Sequence, residues 1–387
     1  MKNIGKELNV VYVGSNTFPI GAATTKRRKY MVDYMNENDI ECHVLITWHS
    51  GKTENANDGF YGKCDYHDIA HYLHFPNWFY YYKKGKEWLD KWYNPQKKNI
   101  FLYSTILELI DYPLYSHAKK LGYKIVFDQV ETSYIASGTN ISSLFWLRIK
   151  LNESISKRIY KQCHGSFVIS KALYKQNKDI YPQMPLCILP NSTPILQKNK
   201  KKTFPQTPVI LYTGTFTPKD GIEYLIKGFL LAQKRGVKCK LVMTGKGRTS
   251  DMDILNLIKG NADVEYKGRV SEQELNRTLW ESDILTMTRV NSTFSNYGFP
   301  FKLSESLATG NPVIASNVSD VTSYVKHKES AYIVKPESAE EIAEGIEYFV
   351  NNPDRAIQIG EKGLEVANSS FSINNIGLKF IRFLESL

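Results

Sequence analysis

Asn296-Tyr297-Gly298-Phe299-Pro300-Phe301-Lys302-Leu303-Ser304-Glu305-Ser306-Leu307-Ala308-Thr309-Gly310-Asn311-Pro312-Val313-Ile314-Ala315-Ser316 is the stretch on which the reading of this chain turns. Gly298 and Pro300 punctuate a loop. Leu303, Leu307 and Ala308 follow helical spacing and give a short helix its packing face. Thr309-Gly310-Asn311-Pro312 stops that helix, and Val313-Ile314-Ala315 opens a buried strand. Lys302 and Glu305 fall one helical turn apart on the same side. Spacing alone suits a solvated surface pair. A lysine beside the unpaired amides of a helix start also makes a phosphate site.

Outward from this stretch, the second half of the chain alternates strands and helices. Residues 209–213, 240–244, 264–268 and 283–287 read as strands, with an amphipathic helix over 222–234. Ser271 to Glu274 and Ser338 to Glu341 are capping boxes. Glycines recur at the predicted strand ends: Gly214, Gly245, Gly268 and Gly298. Each lets backbone approach a ligand closely, and four at one sheet edge favour a nucleotide-sized ligand. Arg289 lies just past the strand over 283–287. Asp251-Met252-Asp253 forms a DxD, but at a predicted helix start, where acidic residues suit the dipole; no metal site is read there.

The first half repeats the pattern. Buried strands are predicted over 8–14, 41–48, 99–103, 124–127, 166–169 and 186–189, with helical patterns over 106–121 and 144–163. Alternation of this kind implies mostly parallel sheets covered on both faces, with ligands at the carboxyl ends of the strands. Gly21-Ala22-Ala23 opens the first helix after a strand and a turn, and no dinucleotide GxGxxG pattern is present. Asp128 and Glu131 follow the strand over 124–127, where a carboxylate orients a hydroxyl, serves as a base or caps a turn. The polar, lysine-rich residues 195–207 read as a linker between domains 1–194 and 208–370.

The totals bound the partners. A chain of 387 residues allows two domains, and a formal charge of +11 favours anionic ones: nucleotide phosphates, anionic lipid or nucleic acid. The five cysteines are scattered and form no CxxC pair, so neither a disulfide framework nor a zinc site is indicated. No stretch reaches the roughly 20 apolar residues of a membrane span. The expected location is cytoplasmic. Residues 75–98 (FPNWFYYYKKGKEWLDKWYNPQKK) interleave aromatics with lysines without a clean amphipathic period. That mixture suits an anionic membrane surface, stacking on bases or sugars, or a loop and short helix packed on their own domain.

These residues resemble the retaining glycosyltransferases of family 4. The resemblance runs over nearly the whole chain, through Gly21-Ala22-Ala23 with Arg27, Leu189-Pro190-Asn191, Tyr212-Thr213-Gly214-Thr215 with Gly221, Thr244-Gly245-Lys246-Gly247, and residues 303–313. It implies the GT-B fold: two Rossmann-like, doubly wound α/β domains facing across a cleft, with residues 371–387 as a helix crossing back to the first. It implies that Glu305, Gly214, Thr215, Gly245, Lys246, Arg269, Tyr297, Gly298 and Phe299 bind the donor. Gly21, Ala22, Arg27 and Asn191 would line the acceptor side, and Asp128 and Glu131 would position the acceptor.

The chain departs from the family where charge matters. The earlier of the family's two glutamates would fall at Tyr297, and the two cations that usually hold the donor diphosphate would fall at Thr215 and Asp220. Arg289 and Lys302, in a Phe-Pro-x-Lys-x-x-Glu motif found in a subgroup, are the replacements. The expected reaction is transfer of a sugar, with retention and without a metal or other cofactor, from a nucleotide diphosphate sugar to a saccharide or lipid-linked acceptor. Bacterial surface polysaccharide or glycolipid assembly at the inner membrane face is the implied setting. The competing readings are a nucleotide-sugar epimerase of the same fold, an inactive transferase-like partner subunit and a basic nucleic-acid-binding protein. The last lacks any of the usual recognition motifs.

Overall fold

The computed structural model describes residues 4–21, 23–48, 58–73, 77–104, 109–130, 154–195, 203–247 and 249–387. They form two compact units, Met1–Ser192 with Ile373–Leu387, and Thr193–Ser372. Most of the expected linker, 196–202, lies outside the described residues, as do Ala22 and Glu131.

The first unit is built on eight strands: β1 (Leu8–Ser15), β2 (Glu41–Trp48), β3 (Gly59–Tyr61), β4 (Cys64–Asp68), β5 (Lys98–Ser104), β6 (Lys124–Gln129), β7 (Gly165–Val168) and β8 (Leu186–Ile188). Their order is β3-β4-β2-β1-β5-β6-β7-β8, parallel throughout except for the β3–β4 hairpin at the edge. The central strands are apolar runs because helices cover both faces; every residue of β1 from Leu8 to Gly14 is buried. Val11, Leu45, Phe101, Ile125 and Phe127 share one core with Leu89 and Leu114 from the covering helices. The C-terminal helix Ile373–Ser386 belongs to this unit. Gly377 lets it lie on Tyr34: a Cβ there would stand 2.1 Å from the tyrosine Cγ.

Two elements differ from expectation. The β3–β4 hairpin was not foreseen, because CDYHD lacks an apolar alternation. Residues 75–98 hold one long helix, Trp78–Trp92, whose buried stripe is Tyr81, Gly85, Leu89 and Trp92. The helical period is present but disguised: one buried position is glycine, admitting Leu114, and exposed positions carry Trp78, Phe79 and Tyr80. Of the predicted helix over 144–163, residues 144–153 fall outside the described residues and 154–160 are helical.

The second unit is a six-stranded parallel sheet. Its strands are β9 (Val209–Thr213), β10 (Lys240–Thr244), β11 (Val264–Gly268), β12 (Ile284–Met287), β13 (Val313–Ser316) and β14 (Tyr332–Val334). The order β11-β10-β9-β12-β13-β14 is doubly wound about β9 and β12, the point at which ligands of such sheets gather. Leu225, Ile226 and Phe229 of helix Ile222–Lys234 pack on Ile342, Ile346 and Phe349 of helix Ala339–Asn351. The serine half of each predicted capping box forms: the Ser271 hydroxyl accepts from the Glu274 amide and Ser338 from Glu341, each contributing about 1 kcal/mol, while Glu341 Oε2 accepts from the Lys335 amide. Asp251 to Asp253 lie in a 3-10 stretch, Thr249–Ile258.

Candidate active site

The carboxyl edge of the second sheet is closed by three glycines. Past the end of β9, the Gly214 amide donates to Thr244 O, and the Gly245 amide donates to Gly268 O, so the strand ladder continues through the turns. Gly214, Gly245 and Gly268 have φ of 132°, 126° and 65°, conformations that side chains rarely adopt. A Cβ on Gly245 would lie 1.7 Å from Gly214 O. Gly298, expected as a fourth strand-end glycine, instead follows the short helix Thr293–Tyr297 in an extended conformation, φ −81°.

Lys302 enters this edge from helix Phe301–Leu307. Its ammonium does not turn to solvent. Nζ donates to Asp220 Oδ1 at 3.1 Å and to the Tyr212 hydroxyl at 3.2 Å, and lies 4.5 Å from the centre of the Tyr212 ring. The surface-pair alternative for Lys302 is therefore replaced by an inward ion pair with a carboxylate only 2% exposed. The other Asp220 oxygen accepts from the hydroxyls of Thr215 (2.8 Å) and Thr217 (2.5 Å). Burial alone would raise the Asp220 carboxyl. The Lys302 charge, the two hydroxyls and Arg289 outweigh it and hold the group below the ordinary carboxylate range. Burial likewise pulls the Lys302 ammonium below its usual value; Asp220 opposes this, and Arg289 and Lys219 add to it.

The turn bearing Asp220 is sewn to the segment after β12. Thr288 Oγ1 donates to Asp220 O, and the Val290 amide to Lys219 O. Gly221 fits because a Cβ there would sit 1.8 Å from Thr288 O. Arg289, between those two residues, thereby falls within electrostatic reach of Tyr212, Asp220 and Lys302. Glu305 stands half-buried one turn beyond Lys302; Lys246 and Arg269 are exposed, following β10 and β11. Tyr297 ends the Thr293–Tyr297 helix, half-buried. Phe299 packs inward on Tyr324 and Phe371, so its ring is core. Sequence reasoning read Asp220 only as a lost cation. Its role became visible only when the fold brought it to Lys302, 82 positions away.

In the first unit, Arg27 and Asp128 meet at 2.8 Å with both side chains almost fully buried. The guanidinium also donates to Leu189 O and Pro190 O at 3.0 Å each, and to Asn191 Oδ1 at 3.4 Å. Arg27 Nε donates to the other Asp128 oxygen, Oδ2, at 2.9 Å, and the Tyr12 hydroxyl donates to the same atom. Asp128, expected to orient a hydroxyl or serve as a base on the acceptor side, therefore sits in a buried ion pair. Both of its oxygens are committed, and it is the counter-ion of an arginine that ties β6 to the chain after β8. Arg27, for the same reason, is a brace. Gly21 is exposed, while Asn191 is buried beside Arg27. Among the described residues, no group of His, Cys, Asp and Glu is placed to hold a metal ion, and no helix is long and apolar enough to cross a membrane.

Residues 195–366 match the family model for glycosyl transferases group 1. An uncharacterised glycosyltransferase of Haemophilus influenzae is 22% identical over 292 residues, spanning 69% of this chain and 80% of that protein. A GDP-mannose-dependent α-(1-6)-phosphatidylinositol monomannoside mannosyltransferase of Mycobacterium tuberculosis is 24% identical over 192 residues, 48% of this chain and 49% of its own length. Among solved structures, sucrose-phosphate synthase from Thermosynechococcus elongatus superposes with a TM-score of 0.74 at 14% identity, covering 98% of each chain. Anabaena HepE in complex with UDP-glucose gives 0.67 at 13% identity, covering 98% of this chain and all of that one. The architecture is the GT-B fold, and these matches support a glycosyltransferase.

Proposed function

We propose that the chain transfers a sugar, with retention, from a nucleotide diphosphate sugar to an acceptor hydroxyl on a saccharide or lipid-linked glycan. The observation that carries this reading is the Lys302 ammonium held over the Gly214 turn at the switch point of the second sheet, with Arg289 beside it. Two cations and strand-end amides there suit a diphosphate, whose negative charge grows as the sugar departs. Glu305 accepts hydrogen bonds from the ribose hydroxyls, and Lys246 and Arg269 extend the positive edge. In this reading the cations stabilise the leaving group without a metal. The HepE complex with UDP-glucose and the GDP-mannose dependence of the mycobacterial relative are consistent with such a donor.

The first unit is the acceptor side, and helix Trp78–Trp92 rests on an anionic membrane through Trp78, Phe79 and Tyr80, which suits a lipid-linked acceptor in surface polysaccharide or glycolipid assembly. A thermal-shift screen of UDP, GDP, ADP and their sugars tests the donor. One nucleotide diphosphate is expected to stabilise the protein selectively, and its sugar to yield a product with retained anomeric configuration by NMR. No stabilisation by any of them, or an inverted product, refutes the reading.

A further inference from the structure

Asp220 has every polar atom fixed. Its amide donates to Thr217 O, its carbonyl accepts from Thr288 Oγ1, one carboxylate oxygen takes two threonine hydroxyls, and the other takes Lys302 Nζ. Gly221 closes the turn behind it in the left-handed region, φ 65°. A long, flexible lysine thus ends on a carboxylate that cannot move. The ammonium comes to rest where a Cβ of Gly214 would be, 2.4 Å from that position, so backbone and charge form one surface.

We propose that Asp220 is a positioning residue for the phosphate-bearing donor: it holds Lys302 Nζ over the Gly214 turn. This rests on the donor reading above and adds to it a carboxylate whose own charge opposes the ligand. A negative group 3.1 Å from the phosphate-binding cation has a cost for anion binding in a partly buried site. Orientation offsets that cost, since preorganised charge is worth more than mobile charge. The groups facing Lys302 are Asp220 and Lys219 from the turn, Tyr212 from β9 and Arg289 from beyond β12. Of these Asp220 alone carries a negative charge, so its removal lets burial and the two cations drive the amine toward neutrality at lower pH, with only the Tyr212 hydroxyl and ring left to favour the ammonium.

The sign of the effect separates positioning from mere neutralisation. Inorganic pyrophosphate and UDP are titrated calorimetrically into the wild type, Asp220→Asn, and Thr215→Val with Thr217→Val, across neutral to alkaline pH. Positioning predicts that Asp220→Asn binds both ligands at least tenfold more weakly despite having lost a negative charge, and that the alkaline limb of binding moves to lower pH. The threonine variant, which keeps the carboxylate but frees it, weakens binding with an unmoved limb. It also serves if Asp220→Asn fails to fold. Unchanged or tighter binding in Asp220→Asn with an unmoved limb overturns the positioning role alone. A wild type that binds neither ligand overturns the donor reading and this inference together.

Discussion

A Cβ built on Gly214 would stand 2.3 Å from Cε of Lys302, so the volume that glycine leaves empty is the volume the lysine occupies. Gly214 also has φ 132°, where an alanine is strained regardless of space. Gly214→Ala is therefore expected to expel Lys302 from its contact with Asp220 and lower stability by about 1–3 kcal/mol. UDP affinity measured by calorimetry should fall at least tenfold. Normal affinity in this variant would show that the glycine serves only the turn.

Lys302→Ala strands the Asp220 carboxylate in a buried position with two hydroxyls and no adjacent ammonium. Loss of one partner of such a pair costs about 3–5 kcal/mol. Denaturant melts should show that loss, and turnover should vanish. Adding Asp220→Asn should recover much of the stability and none of the turnover. A single-variant melt indistinguishable from wild type would mean that the pair is not closed in solution.

The same pair has a pH signature. The folded Asp220 carboxyl titrates below its ordinary range, so its contribution is complete above the unfolded pKa, about 4, and disappears as pH falls through the lower folded value. Stabilities of wild type and Lys302→Ala should diverge at neutral pH and converge in acid below about pH 4. A gap that persists unchanged into acid would assign the difference to packing.

Much of this was legible in the sequence. Strand runs such as Val209–Thr213 and Lys240–Thr244 were readable because parallel strands buried on both faces are nearly continuous apolar segments. The serine caps were readable because a hydroxyl three residues before a glutamate is a local signal. What escaped notice was long-range or disguised. Asp220 and Lys302 are 82 positions apart, and nothing local says that one neutralises the other. Arg27 and Asp128, 101 positions apart, each looked available until the topology placed them together. Cys64–Asp68 pairs with β2 on one side and β3 on the other on polar residues, whose hydrogen bonds are backbone and leave no pattern in the side chains.

Arg27 and Asp128 make opposite predictions under the two roles that can be given them. As an acceptor base, Asp128 could become asparagine with activity lost and stability kept. As a buried counter-ion, its change unsettles β6 and the chain after β8. Arg27→Leu is expected to destabilise the first unit by about 3–5 kcal/mol, and Arg27→Leu with Asp128→Leu by less, because no charge is then left unpaired. Thermal melts of the three proteins decide the matter. If Asp128→Asn melts like wild type yet is inactive, the counter-ion role is wrong.

Trp78, Phe79 and Tyr80 are 51%, 64% and 52% exposed in the first turn of a helix whose other face is core, with Lys83 and Lys84 in the turn that follows. These rings are about half exposed and contribute little to folding beyond edge contacts such as Trp78 on Tyr82, so serine at all three positions should lower the melting temperature only modestly. Inserted at headgroup depth, the same rings should carry membrane affinity, and the lysines should make it dependent on anionic lipid and on salt. The wild type is expected to sediment with phosphatidylglycerol vesicles, to release as ionic strength rises, and to ignore phosphatidylcholine alone. The triple serine variant should stay in the supernatant. Equal sedimentation of the two proteins would move any membrane contact away from this helix. Failure of the wild type to bind anionic vesicles would remove it altogether, leaving the aromatic turn to stack on an acceptor sugar.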